Sequence, residues 1–188
     1  LPAPAQAAAV VQRGDLLPDA LVRDLVGARL AHAAAAGTPA VLDGYPRTAA
    51  QATHLLAVAD VRLALNLTLR EQVLMDKCLG RRVCGECGAG YNVADIQLPA
   101  AGGLPAVTMP PMPPPPECEP HMEVRADDNP ETVRNRLAVH AREAAPVEDV
   151  FRAAGVLVDL PVTGGVAETM PLLKDALAAA KEEGRAAA

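Results

Sequence analysis

Apolar residues fall at helical spacing after Pro18: Leu21, Val22, Leu25, Val26 and Leu30 predict a helix over residues 18–35. Gly37-Thr38-Pro39 stops it, and the apolar run that follows predicts a buried strand over 40–43. Gly44 and Pro46 mark a turn, after which residues 48–58 read as a short helix. Val61, Leu63, Leu65 and Leu67 alternate with polar or small residues and predict a second strand over 61–67. Val73, Leu74 and Leu79 give a helix over about 69–79. Further on, Asn129 suits an N-cap and Pro130 a first helical position, with Val133 and Leu137 on one face of the helix that follows. Ala145-Pro146 is expected to kink that helix. Gly155 ends the next, a strand runs over 156–160, and an amphipathic helix fills about 166–181. Residues 1–12, rich in Ala and Pro, read as weakly helical. Strands alternating with helices place the chain in the α/β class.

Composition narrows this. At 188 residues the chain makes one ordinary domain, or one with a small insertion. Tyr45, Tyr91 and Phe151 are its only aromatics, so its core must come from Leu, Val and Ala. A net charge of −6 argues against a general electrostatic grip on nucleic acid or an anionic membrane, although local arginines can hold a small phosphorylated ligand. No run approaches a membrane span, and the start of the chain lacks the basic residues of a signal peptide. The expectation is a soluble intracellular protein whose compartment the residues do not specify. Leu1 in first position is read as processing or as a fragment.

Four cysteines change the picture more. Cys84-x-x-Cys87 and Cys118-x-x-His121 form two knuckles with the spacing that supplies a tetrahedral Zn²⁺ site, rather than a disulfide framework. Four free side chains are the alternative. The interval between the knuckles contains LPAAGGLPAVTMPPMPPPP, expected to be extended and poorly packed.

The chemistry-bearing stretch is Val41-Leu42-Asp43-Gly44-Tyr45-Pro46-Arg47-Thr48-Ala49-Ala50-Gln51. An acid at the end of a buried strand can hold Mg²⁺ through its water shell, and an arginine on the following turn can grip a phosphate bidentately. Read plainly, Asp43-Gly44 is a turn signal and Arg47 a surface charge.

DGYPRTxxQ resembles the DGFPRT…Q segment of the adenylate kinases, with Tyr45 in place of Phe. RGDLLPDALVRDLVGARL, GRRV followed by C-x-x-C-G-x-x-Y, and R-x-D-D-x-x-E-T-V-x-x-R-L follow the blocks of the same family. The resemblance implies a P-loop nucleoside monophosphate kinase fold, a parallel sheet with flanking helices and an inserted lid. It divides the chain into a partial core with AMP-side helices (1–79), a lid with the Pro-rich insertion (80–124) and a C-terminal core (125–188). Leu17, Gly44, Arg47 and Gln51 would bind AMP, Gln51 through its adenine. Arg81, Arg125 and Arg136 would neutralise transferring phosphates, with Asp43 orienting hydrated Mg²⁺. Lys77, Arg81, Tyr91, Asp127 and Asp128 would form the ATP side and help close the lid, and Cys84, Cys87, Cys118 and His121 would hold Zn²⁺. Lys77 stands where the family has Arg, which removes a planar group able to stack on adenine.

The family's first strand and P-loop, GxPGxGKGT, have no counterpart in these residues, which contain no Gly-Lys dipeptide, and neither does its TGD-x-x-R segment. The strand that is missing would lie between those expected at 40–43 and 61–67. The chain alone should therefore be inactive, its sheet completed by an upstream segment or another chain. Two functions stay open. One is Mg²⁺-dependent phosphotransfer among ATP, AMP and ADP. The other is a non-catalytic structural or nucleotide-sensing module in a larger assembly. So many unpaired cations favour the first.

Overall fold

The computed structural model describes Val10 and residues 15–186, so the expected weak helix over 1–12 lies outside the described residues apart from Val10. The helices are α1 (Asp19–Ala35), α2 (Ala49–Val58), α3 (Glu71–Leu79), α4 (Pro130–Ala153) and α5 (Val166–Ala186). The strands are β1 (Ala64–Thr68), β2 (Arg81–Cys84), β3 (Gly90–Asn92), β4 (Ile96–Leu98), β5 (Val107–Met109), β6 (Met122–Glu123) and β7 (Leu157–Pro161). β1 pairs with β7. Ala64 donates to Val156 at one end and Val162 to Thr68 at the other, so the two strands run parallel. Among the described residues no helix is long and apolar enough to cross a membrane.

The chain forms two compact units, each built from two stretches of sequence: residues 1–66 with 136–158, and residues 67–135 with 159–188. In the first, Tyr45, Ala52, Leu55 and Phe151 form a buried cluster, with Val22, Val26 and Leu30 of α1 packed on it. Those α1 residues recur at i, i+4 and i+8, the stripe that the sequence pattern singled out. In the second unit, Val73, Ile96, Val107 and Met109 form the buried cluster.

Three expectations fail here. The strand over 40–43 does not form, and Val41 is 94 % exposed. An extended segment becomes a strand only when a neighbour takes up its backbone N–H and C=O groups, and among the described residues none does. The Pro-rich interval, expected to be poorly packed, instead contributes Val107 and Met109 to the core through the antiparallel β4–β5 hairpin. Gly102 and Gly103 both have positive φ, and Ala101 and Leu104 exchange backbone hydrogen bonds across them. That is a two-residue primed turn, which needs glycine-like residues at both centres. Arg70 donates from Nη1 to Pro99 O and from Nη2 to Leu98 O, at 2.9 and 3.1 Å, and so ties the hairpin to the start of α3. α4 also runs unbroken from 130 to 153 with Pro146 inside it, one helix where two were expected.

Candidate functional site

The candidate residues divide between the two units. In the first, the turn from Asp43 to Gln51 leads into α2. Thr48 is the N-cap, its Oγ1 accepting from Gln51 N–H at 3.3 Å. Arg47 lies one residue earlier, and its backbone N–H donates to Gln51 Oε1 at 2.8 Å. Arg47 Nε donates to the carbonyl of Gly44 at 2.7 Å, which folds the guanidinium back over the turn. A Cβ at Gly44 would come within 2.7 Å of Arg47 Nη2, so glycine leaves the room that Arg47 occupies. Gln51 is buried, whereas Asp43 and Arg47 are exposed and Leu17 is half-buried. The structure thus brings Gly44, Arg47 and Gln51 together on one turn.

Sequence reasoning missed Asp19, the first residue of α1. Its Oδ1 accepts from Gln51 Nε2 at 2.6 Å and its Oδ2 from Thr48 Oγ1 at 3.0 Å. Thirty-two residues separate Asp19 from Gln51, and no periodicity announces such a pair. Burial, and then the neighbouring Asp19 charge, push the Tyr45 phenol above its ordinary range, with Arg23 pulling the other way.

In the second unit, β3, β2 and β6 make a three-stranded antiparallel sheet in that order. Arg81, at the start of β2, makes a fork with Asp128, Nε to Oδ2 at 2.8 Å and Nη2 to Oδ1 at 2.6 Å. The Asp128 side chain is fully buried while that of Arg81 is 30 % exposed. The hydrogen bonds to Asp128 hold the Arg81 guanidinium above its usual pKa range, against an opposing cost of burial. Arg125 makes a second fork, with Asp127, both bonds at 3.0 Å. The expectation of unpaired cations therefore does not hold for these two arginines: adjacent acids already neutralise them. Arg136 lies on α4 in the first unit, half-buried.

Lys77 sits half-buried near the end of α3, and burial lowers its pKa. Gly80 follows α3, where a Cβ would approach Ala94 Cβ at 2.7 Å and Ala94 N at 2.9 Å. Only glycine lets β2 start so close to the segment after β3.

Cys84, Cys87 and Cys118 bring their sulfurs within 4.8 Å of one another. The Cys87 and Cys118 sulfurs are 3.7 Å apart. With Zn–S bonds of about 2.3 Å, the edge of a tetrahedral thiolate site is about 3.8 Å, so the trio fits a zinc ion. Backbone N–H groups of Cys87 and Glu86 aim at Cys84 and lower its pKa, which favours the thiolate a metal needs. Tyr91 Oη donates to Cys118 Sγ at 3.6 Å, and that bond with burial pushes the phenol up to about 12. His121, expected as the fourth ligand, stands outside this group, with Nδ1 3.5 Å from Glu86 Oε1. The second knuckle is only a short 3-10 turn, Glu119–His121, whose backbone bonds Gly85 N–H to His121 O rather than presenting the imidazole with the thiols.

Comparison with known proteins gives these residues a context. Residues 3–156 match a family described as adenylate kinase. The chain is 43 % identical over 173 residues to the "Probable adenylate kinase 6, chloroplastic" of Oryza sativa subsp. japonica, covering 92 % of this chain and 61 % of that protein. It is 42 % identical over 169 residues to "Adenylate kinase 1, chloroplastic" of Arabidopsis thaliana, covering 89 % and 60 %. A Halobacterium salinarum adenylate kinase is 35 % identical over 152 residues, covering 81 % and 63 %. The chain thus spans about three-fifths of the length of the curated relatives it matches.

Proposed function

Because this chain belongs to the adenylate kinase family, we propose that it carries the AMP-side and lid residues of a phosphotransferase that interconverts ATP plus AMP with two ADP. The observation that carries this reading is the turn holding Arg47 and Gln51 together: the Arg47 backbone N–H bonds the buried Gln51 amide, and the Arg47 guanidinium folds back onto the Gly44 carbonyl. Gly44 and Leu17 would flank the AMP, and Asp43 would orient Mg²⁺ through water. Arg81, Arg125 and Arg136 would offset charge on the transferring phosphoryl group, with Lys77 and Tyr91 on the ATP side. Mg²⁺ bound with the nucleotide would supply positive charge against the phosphates, with Asp43 the residue placed to hold its water shell. For Arg81 and Arg125 to reach phosphates, they must exchange their forks to Asp128 and Asp127 for the ligand. Those acids would then act as latches, released as the lid closes. Cys84, Cys87 and Cys118 would hold a structural Zn²⁺, with His121 turning in as the fourth ligand.

The sequence has no Gly-Lys phosphate cradle, so these residues alone should show no turnover. An upstream segment or another chain would supply the cradle and complete the sheet. A two-stranded parallel sheet with Val158 and Leu67 exposed on its strands supports that requirement, since parallel sheets normally have both faces covered. The plant relatives are named chloroplastic, which supports a plastid location.

A coupled assay for ADP formation on the intact protein, after peptide mapping of its N-terminus, tests the reading. Turnover that needs both AMP and Mg-ATP is expected. A protein with an upstream phosphate loop that binds neither nucleotide would sink it. The second reading, a nucleotide-sensing module without catalysis, draws on the two arginines committed to carboxylates and on Lys77. Binding of ATP and AMP without turnover would favour it.

A further inference from the structure

The Gln51 side chain is 4 % exposed, and an amide in such a place has two orientations that differ only by exchange of its oxygen and nitrogen. Two neighbours choose between them. A backbone N–H can only donate, and Arg47 N–H lies 2.8 Å from Oε1. A carboxylate can only accept, and Asp19 Oδ1 lies 2.6 Å from Nε2. Reversing the amide would set N–H against N–H on one side and oxygen against oxygen on the other. Both contacts would turn from attraction to repulsion, so the orientation is fixed by chemistry. Thr48 Oγ1 donates to the other oxygen of Asp19 and holds the carboxylate in line.

We propose that Asp19 is a positioning residue that sets base specificity by locking the Gln51 amide in one orientation. This rests on the reading of Gln51 as the group that meets the base. The two contacts use one of the amide's two N–H groups and one lone pair of its oxygen. What remains is one donor beside one acceptor in a fixed order. That order pairs with a base edge carrying a ring-nitrogen acceptor beside an exocyclic amine, the edge of a 6-aminopurine. A 6-oxopurine presents the reverse order, a ring N–H beside a carbonyl, and meets repulsion at both positions. A free amide would turn over and accept either base. With Asp19 present, turning over places the amide oxygen against a buried carboxylate.

AMP and IMP differ only at those two positions and so isolate the effect. The test measures equilibrium binding of each to the intact protein by calorimetry, for the wild type and for Asp19→Asn. Asparagine keeps the shape of Asp19 but can donate as well as accept, which releases the lock. A wild type that favours AMP, with the AMP:IMP ratio at least about tenfold smaller in Asp19→Asn, is the expected result. A purely structural role for Asp19 would weaken both ligands together and leave the ratio unchanged, and that outcome overturns the proposal while leaving the AMP site standing. If the wild type binds neither nucleotide, the functional reading falls and takes the proposal with it. NMR of the wild type provides a readout that does not depend on the variant folding. One Gln51 side-chain amide proton should be strongly shifted and protected from exchange by its bond to Asp19. Two solvent-like amide protons would overturn the lock directly.

Discussion

The turn at Val41–Gln51 and the sheet β3-β2-β6 carry comparable densities of candidate residues, yet they reach order by different routes. The sheet closes on itself: Arg81 pairs with Asn92 and Val83 with Glu123 through antiparallel ladders between strands joined within the same unit. Its arginine fork and its thiol trio find their partners inside residues 67–135. The turn owes its shape to caps and side-chain bonds, but the apolar residues just before it find no ladder, and Val41 stays in solvent. The comparison teaches that antiparallel pairing can be satisfied by near neighbours in sequence. A strand meant for a parallel sheet depends on a partner far away along the chain.

Substitutions should expose this contrast, and the largest effect is expected at Leu55. Buried in the first cluster, it should cost about 2–4 kcal/mol as Leu55→Ala in urea denaturation, through lost contacts and a residual cavity. A stabilisation of about 2.7 kcal/mol should follow from Zn²⁺ at a hundredfold excess over its Kd, read as a rise in Tm and abolished by Cys118→Ser. Cd²⁺ should report the same thiols by its sulfur-to-metal absorption. Absence of both signals would show that the trio is merely close-packed. Next, Arg81→Ala should cost about 2 kcal/mol, because the buried Asp128 carboxylate would lose its guanidinium. A neutral result would mean that the fork is solvated and that its acid is no latch. The smallest effect is expected at Val41→Ala, within about 0.5 kcal/mol in the chain by itself, since it removes atoms already in water. In a protein whose sheet is completed, the same change should cost about 1–2 kcal/mol, and equal costs in both contexts would break the comparison.

Much of the local structure was legible in the sequence. α1 begins within one residue of expectation because Pro18 fixes its start and the Leu/Val stripe fixes its face. The Cys84 and Cys87 knuckle was legible because a two-residue spacing leaves few geometries open. The strand over 40–43 was misread because its apolar residues announce burial without saying what buries them. The β4–β5 hairpin was lost beneath the proline count, although Gly102-Gly103 between short alternating runs was a usable signal. The Arg81–Asp128 fork, joining positions 47 residues apart, and the Asp19–Gln51 pair left no trace in any local pattern. Pairings of that kind depend on how elements pack, and the charges that make them look the same in sequence as solvated ones.

The Gly102-Gly103 tip also has a practical use. Its turn is closed by Ala101 and Leu104 alone, and neither glycine would meet a neighbour within 4 Å if it carried a side chain atom. The ladder below it begins with Leu98 opposite Val107. A fluorophore or a short epitope inserted there would travel with the hairpin. It would give the hairpin its own reporter, and its response to added nucleotide could be followed by anisotropy or energy transfer.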